Sequence, residues 1–289
     1  MRVNSADDVA TAAVLSLLLE VSANPKSGNV DRLHQYHDIR YEHFILSSVS
    51  VYPIFKKAAS KGGSIGKYIY DAVKKSIDWG FHGNTHFGSF VLLIPLILSW
   101  KEKDTNAIAN KATELIKKSS YIDSIYFLKA FKLVNPRVLE CKEFSLESEN
   151  IERLILESKI NLYKWMLLAP SHNLIAKELT SGYKISLEGK DLILDFFVEK
   201  EDLNEAIVLT YHTLLSKYTD PLLISKFGYD FAKDVQKRVK KALTEYERGV
   251  TSTLTELDQE LINIGANPGT IADIVSSSIF LAVMEGLKF

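Results

Sequence analysis

The chain has 289 residues, 46% of them hydrophobic, enough to bury a large core, and its 35 Lys and Arg balance 36 Asp and Glu. No net field draws it toward nucleic acid or an anionic membrane surface, so any positive charge that matters must be local. One cysteine, Cys141, excludes an internal disulfide and a cysteine-based metal framework and fits a reducing compartment, which makes the cytoplasm the expected location.

Apolar periodicity predicts helix almost throughout. Ala6, Val9, Ala10, Ala13, Val14, Leu17, Leu18 and Val21 recur at three-and-four spacing, and Ser5 is placed to cap them. Asp7 and Asp8 sit where a signal peptide would keep positive charge. A polar, glycine-bearing segment over 24–38 leads into helix over 41–59, which the Gly62–Gly63 break ends. Helix resumes over 68–79, stops through 80–88 and continues over 90–100. That last run is greasy, but it is half the length of a bilayer span and Pro95 interrupts it, so no membrane span is expected.

Asp104 and Thr105 cap the next helix, and segments 122–133, 151–168 and 173–180 carry the same period, the last closed by Gly182. Over 183–195 a hairpin is the alternative to helix. Tyr183, Ile185 and Leu187 alternate with Lys184, Ser186 and Glu188, and Gly189–Lys190 can turn. Helices follow over 202–218, 227–248, 251–264 and 270–287. With no internal repeat, the expected architecture is all-α: one orthogonal multi-helix bundle, residues 1–289 forming a single domain.

Three polar breaks are expected to converge on one anion-handling site. In the first, Pro25, Gly28 and Asn29 hold the backbone open at a helix exit, and Lys26 and Arg32 supply charge suited to phosphate. Asp31 and Asp38 are candidates for holding Mg²⁺ or for a general base, although a capped turn accounts for the same residues. In the second, Asn84, Thr85 and His86 present hydrogen-bonding groups beside glycines. His82 and His86 are four apart but lack an HExxH frame and a third ligand, which argues against zinc. In the third, Asn267, Pro268, Gly269 and Thr270 open the last helix. Asp273 falls in its first turn, where a carboxylate complements the helix dipole even without a function. A fourth segment places Asp220 and Lys226 around a helix joint, readable also as a cap and a surface lysine.

In order and spacing, EVSANPKSGNVDR with His37 and Asp38 behind it, GNTHFG at 83–88, TDPLLISKFG at 219–228 and NPGTIAD at 267–273 resemble the triphosphoribosyl-dephospho-CoA synthase family over nearly the whole chain. The resemblance implies an all-helical transferase that joins ATP to 3′-dephospho-CoA, giving 2′-(5″-triphosphoribosyl)-3′-dephospho-CoA and adenine, with Mg²⁺ as the expected cofactor. It would use Asp31, Asp38 and Asp273 for catalysis. Lys26, Arg32 and Lys226 would bind phosphate, Asn84, Thr85, His86, Asn267 and Gly269 would bind the nucleotide, and Asp38, Asp220 and Asp273 would hold metal. Bacterial members usually carry proline at the position of Ser27 and a basic residue at that of Phe87. A transferase or hydrolase of another nucleotide or sugar phosphate, and a non-catalytic nucleotide-binding protein, are the alternatives. The small residues of the last helix also permit a homodimer.

Overall fold

The computed structural model describes residues 3–80, 83–137, 145–146 and 148–289; His82 and Cys141 lie outside them. Among the described residues there are sixteen helices and no strand, so the all-α expectation holds. In chain order they are α1 (Ala6–Ser22), α2 (Tyr41–Ser50), α3 (Tyr52–Lys61), α4 (Ile65–Ile77), α5 (Phe87–Leu98), α6 (Thr105–Lys117), α7 (Tyr121–Val134) and α8 (Ile151–Ser158). Then come α9 (Leu162–Leu167), α10 (Leu174–Ser181), α11 (Lys184–Lys200), α12 (Leu203–Lys217), α13 (Pro221–Phe227), α14 (Tyr229–Glu247), α15 (Ser252–Asn263) and α16 (Gly269–Glu285). No helix among the described residues is long and apolar enough to cross a membrane.

Local chemistry sets most boundaries. Ser5 caps α1 in a reciprocal box, its Oγ accepting from the Asp8 N–H at 3.1 Å while Asp8 Oδ2 accepts from the Ser5 N–H at 2.9 Å. The helix expected over 41–59 is two, because Pro53 in the first turn of α3 has no N–H with which to continue α2. The one expected over 151–168 also divides, at Lys159, whose φ of 51° is left-handed. Gly228, at φ 89°, separates α13 from α14.

The stretch 183–195 is helix, not hairpin. Ile185 with Ser186, Gly189 with Lys190, and Ile193 are buried, adjacent pairs recurring every four residues, which one helix face satisfies and a strand, whose successive side chains point to opposite faces, does not. Gly189 marks a helix crossing instead of a turn: a Cβ there would lie 2.3 Å from Ser278 Oγ of α16. The buried Glu178 carboxylate caps the start of α11, accepting from the Ile185 and Ser186 N–H groups at 2.9 and 2.7 Å.

One cluster of buried apolar side chains runs from Val9 to Leu287. Its centre is α16, buried at nearly every position from Thr270 to Val283 and packed against α1, α5, α11 and α12. Helix α5 is buried almost all round, its residues Phe90–Ile97 facing core on every side. Because α5 and α16 pack together, their N-terminal turns meet, and both of those turns carry polar breaks read from the sequence.

Candidate active site

Where α5 and α16 meet, Asp273 is the joint. Its Oδ1 accepts from the Ser89 N–H at 2.8 Å and from Ser89 Oγ at 2.5 Å, so a carboxylate of α16 occupies the anion position at the N-terminus of α5. Gly88 makes the approach possible, since a Cβ at that position would lie 2.1 Å from Asp273 Oδ2. Asn84 Oδ1 accepts from the Phe87 N–H at 3.1 Å and fixes the turn before α5. Burial, opposed by the Ser89 hydrogen bonds and reinforced by the neighbouring charges of Glu20 and Asp220, pushes the Asp273 carboxyl up to about 7.

Asp273 lines a cavity among the described residues that spans about 990 Å³ including open space at its mouth. The walls are largely apolar, with Phe87, Val91, Phe127, Trp165, Met166 and Leu222 among them. Rings line one side, Phe87 to Phe127 and Phe127 to Trp165 each at 5.6 Å between centroids. Asn84, Asn173 and Thr270 add hydrogen-bonding groups, and Arg137 is the one cation among the described lining residues. Flat apolar surfaces and one carboxylate poised near neutrality suit an acid–base reaction on a bound ring-bearing ligand.

The first break folds back beside this region. Lys26 is fully buried and pairs with the buried Glu20 of α1, so its charge is spent inside the protein and not offered to a phosphate. Burial outweighs that partner and raises the Glu20 carboxyl. Ser27 Oγ meets His212 Nε2 at 2.8 Å, and His212 is held neutral, pushed down to about 4 by burial. Gly28, at φ 79°, lies so close to the third break that a Cβ would come within 2.1 Å of the Ala266 carbonyl oxygen. Its N–H donates to Asp258 Oδ1 at 2.8 Å. Asn29 Nδ2 donates to Asn267 Oδ1 at 3.1 Å, which ties the first break to the third.

The remaining candidates separate by environment. Asp31 accepts from the N–H groups of Leu33 and His34 through Oδ1, each at 2.8 Å, and from Asn24 Nδ2 through Oδ2 at 2.7 Å. Arg32 is exposed and donates to Asn204 Oδ1 at 3.1 Å, and Asp38 is exposed. His86 points inward: Nδ1 meets Ser47 Oγ at 3.0 Å, and burial, with Lys26 nearby, pushes the ring down to about 3. Thr85 is half-buried beside it. Lys226 is exposed and donates to the Gly265 carbonyl at 2.8 Å. Gly269 opens α16, its N–H donating to the Asn267 carbonyl at 2.9 Å.

Asp220 is buried and already committed. Oδ1 caps α13 through the Leu222 N–H at 2.7 Å, while Oδ2 accepts from the Ile271 N–H of α16 at 2.9 Å. The N-terminus of α16, expected to face a nucleotide through Gly269, therefore holds the chain's own carboxylate. Burial, against these hydrogen bonds, lifts Asp220 to about 6. Of the three carboxylates expected to hold metal, Asp273 alone lines the cavity, and Asp38, Asp220 and Asp273 do not form a three-ligand cluster among the described residues. The group that does is Asp31, His34 and Asp258.

The four segments are thus neighbours in the fold, through Asn29–Asn267, Ser89–Asp273 and Asp220–Ile271, but the first break contributes no residue to the cavity wall among the described residues. Sequence reading passed over Ser89, Arg137, Glu20 and Asp258. Two of these carried a signal, a carboxylate inside an apolar stripe: Glu20 between Leu17 and Val21, and Asp258 among Leu254, Leu257 and Leu261.

An all-helical fold with a buried carboxylate on the wall of an apolar cavity defines a class of helical proteins with a candidate acid–base site, and the comparisons narrow it. The family described as ATP:dephospho-CoA triphosphoribosyl transferase (CitG) matches residues 6–288, and the chain belongs to that family. It is also similar to a crystal structure from Archaeoglobus fulgidus provisionally named triphosphoribosyl-dephospho-CoA synthase. The two share 41% identity at a TM-score of 0.71, over 84% of this chain and 99% of that one. No curated protein matches the chain.

Proposed function

We propose that the chain transfers the triphosphoribosyl group of ATP, entering as its Mg²⁺ complex, to the 2′-hydroxyl of 3′-dephospho-CoA, releasing adenine, in the cavity that Asp273 lines. Membership of the transferase family supports the reaction, and the observation that carries the site is the Asp273 carboxyl, lifted to about 7 on the wall of this apolar cavity. In this reading the C1′–N9 bond of ATP breaks as the 2′-oxygen bonds to C1′, and the proton lost by the hydroxyl balances the one adenine gains. Asp273 takes the hydroxyl proton. A carboxyl titrating near neutrality is both ionised in good part at pH 7 and basic enough to accept it.

The surrounding residues act by positioning. Ser89 holds Oδ1 of Asp273, which leaves Oδ2 for the acceptor hydroxyl. Phe87, Phe127 and Trp165 offer apolar faces to a base ring, and Asn84 and Asn173 offer amides to its edge. Arg137 faces the polyphosphate, supplying the cation that other members place where this chain has Phe87, itself buried against Phe127 and Phe131. The Mg²⁺ neutralises charge on the triphosphate and comes with the substrate. The reading places the protein in the cytoplasm, where both substrates occur, with the whole chain acting as one domain.

The test is to incubate the purified protein with ATP, Mg²⁺ and dephospho-CoA and to identify the products by chromatography and mass spectrometry. Free adenine and a matching triphosphoribosyl adduct of dephospho-CoA, both absent when dephospho-CoA is left out, are expected. Adenine formed without the acceptor would instead mean hydrolysis, and no product would overturn the assignment.

A further inference from the structure

At the foot of the first break three ligand-type groups converge on side chains that the cavity does not use. Asp31, His34 and Asp258 each present one atom, and the three atoms lie within 4.8 Å of one another. His34 Nδ1 is 2.8 Å from Asp258 Oδ2 and 3.6 Å from Asp31 Oδ1. Atoms held about 2.1 Å from one ion at tetrahedral to octahedral angles stand roughly 3.0 to 3.4 Å apart, so these separations bracket a coordination sphere.

Hydrogen bonding points the same way. Asp258 is fully buried and is held by Oδ1, which accepts from the Gly28 N–H, while its Oδ2 makes no hydrogen bond of acceptable geometry to any protein group. His34 Nδ1 is likewise buried as an atom and makes none, although the two face each other. A buried carboxylate oxygen whose close polar neighbour, His34 Nδ1 at 2.8 Å, gives it no aligned hydrogen bond is costly to hold, and this one is aimed at an imidazole nitrogen and a second carboxylate. Lys26, the cation nearest in sequence on the inner side, is taken by Glu20. Tyr36 stiffens the floor, its hydroxyl donating to the Gly28 carbonyl at 2.6 Å. His34 is one-fifth exposed along its side chain, which leaves a way in from solvent.

We propose that Asp31, His34 and Asp258 form a binding site for one divalent transition-metal ion, of the class of Mn²⁺, Fe²⁺ or Zn²⁺, in preference to Mg²⁺. The donor set decides the class. Mg²⁺ seeks oxygen ligands and gives up water reluctantly, whereas an imidazole nitrogen beside two carboxylates suits the borderline first-row ions. The site ties the first break to α15 and, through Gly28 and Ala266, steadies the loop that precedes α16. It does not depend on the transfer reaction, and an ion there would bind without ATP.

The experiment uses the full chain freed of metal with a chelator and titrated with Mn²⁺ alone, the free ion being followed by electron paramagnetic resonance. One Mn²⁺ per chain is expected to bind, Zn²⁺ to displace it, and a hundredfold excess of Mg²⁺ to leave most of it bound. Affinity should fall at least about tenfold in Asp258→Asn and in His34→Gln. His34→Gln is the safeguard should Asp258→Asn fail to fold, because His34 is one-fifth exposed along its side chain and caps no helix. Absence of bound Mn²⁺, equal competition by Mg²⁺, or unchanged affinity in a folded His34→Gln variant would each overturn the proposal, the three residues then being an ordinary ion pair beside a capped turn.

Discussion

Two groups of carboxylates sit a few residues from the same converging loops, and they are built for different work. Asp273 looks into a wide cavity with apolar walls and keeps one oxygen unencumbered beside Gly88. Asp31 and Asp258 converge with His34, one ligand atom of each lying within 4.8 Å of the others. The first arrangement can admit a substrate and move a proton; the second can hold a small cation. Residue type does not separate them. What does is the shape of the surroundings and the number of oxygens already committed to backbone N–H groups.

The largest effect should come from the salt bridge that underlies both regions. Lys26→Ala leaves the Glu20 carboxylate buried without its cation, and stability measured by chemical denaturation should fall by about 3–5 kcal/mol. A loss below 1 kcal/mol would mean that Lys26 is available to ligands after all. Next comes Gly88→Ala, whose Cβ must displace Asp273 Oδ2 and so act on one region alone. It should lower turnover about 10²-fold while leaving the helical circular dichroism and Mn²⁺ binding unchanged.

The pH dependence sharpens the comparison further. With Asp273 as base, kcat/KM should rise with pH through about 7 and level off above it. Stability moves the other way. Between the ordinary carboxyl value of 3.8 and about 7, the folded protein keeps a proton on Asp273 that the unfolded chain has lost. The wild type should therefore lose stability relative to Asp273→Asn as pH rises across that window, and the difference should be flat on either side. The smallest effect is Ser89→Ala. Its hydroxyl bond holds the carboxyl down, so its removal should cost about 1 kcal/mol and move the acid limb of the rate profile to higher pH.

Much of this was legible in the sequence, for identifiable reasons. The helices showed because their apolar positions repeat at three and four, and the caps at Ser5 and Asp104 showed because their side chains act within three residues. The stretch 183–195 reads both ways in sequence because the alternation spans only a few residues, and because the reason for Gly189 lies on α16, far along the chain. The polar breaks were visible as glycine-bearing interruptions, and Asp31, Asp220 and Asp273 were picked out from them. Their partners were not. Asp258 meets Gly28 across 230 positions, and Ser89 meets Asp273 across 184. Nor could the inward turn of Lys26 be read, since a lysine beside Pro25 and Gly28 looks like a phosphate ligand until Glu20 is seen beneath it.

The most direct measurement is the rate of adenine release from ATP, Mg²⁺ and dephospho-CoA at pH 8 by the wild type and by Asp273→Asn, with folding of both checked by circular dichroism. The account predicts release that requires dephospho-CoA and falls by about 10²–10⁴-fold in the variant. Release at the wild-type rate by folded Asp273→Asn would contradict it.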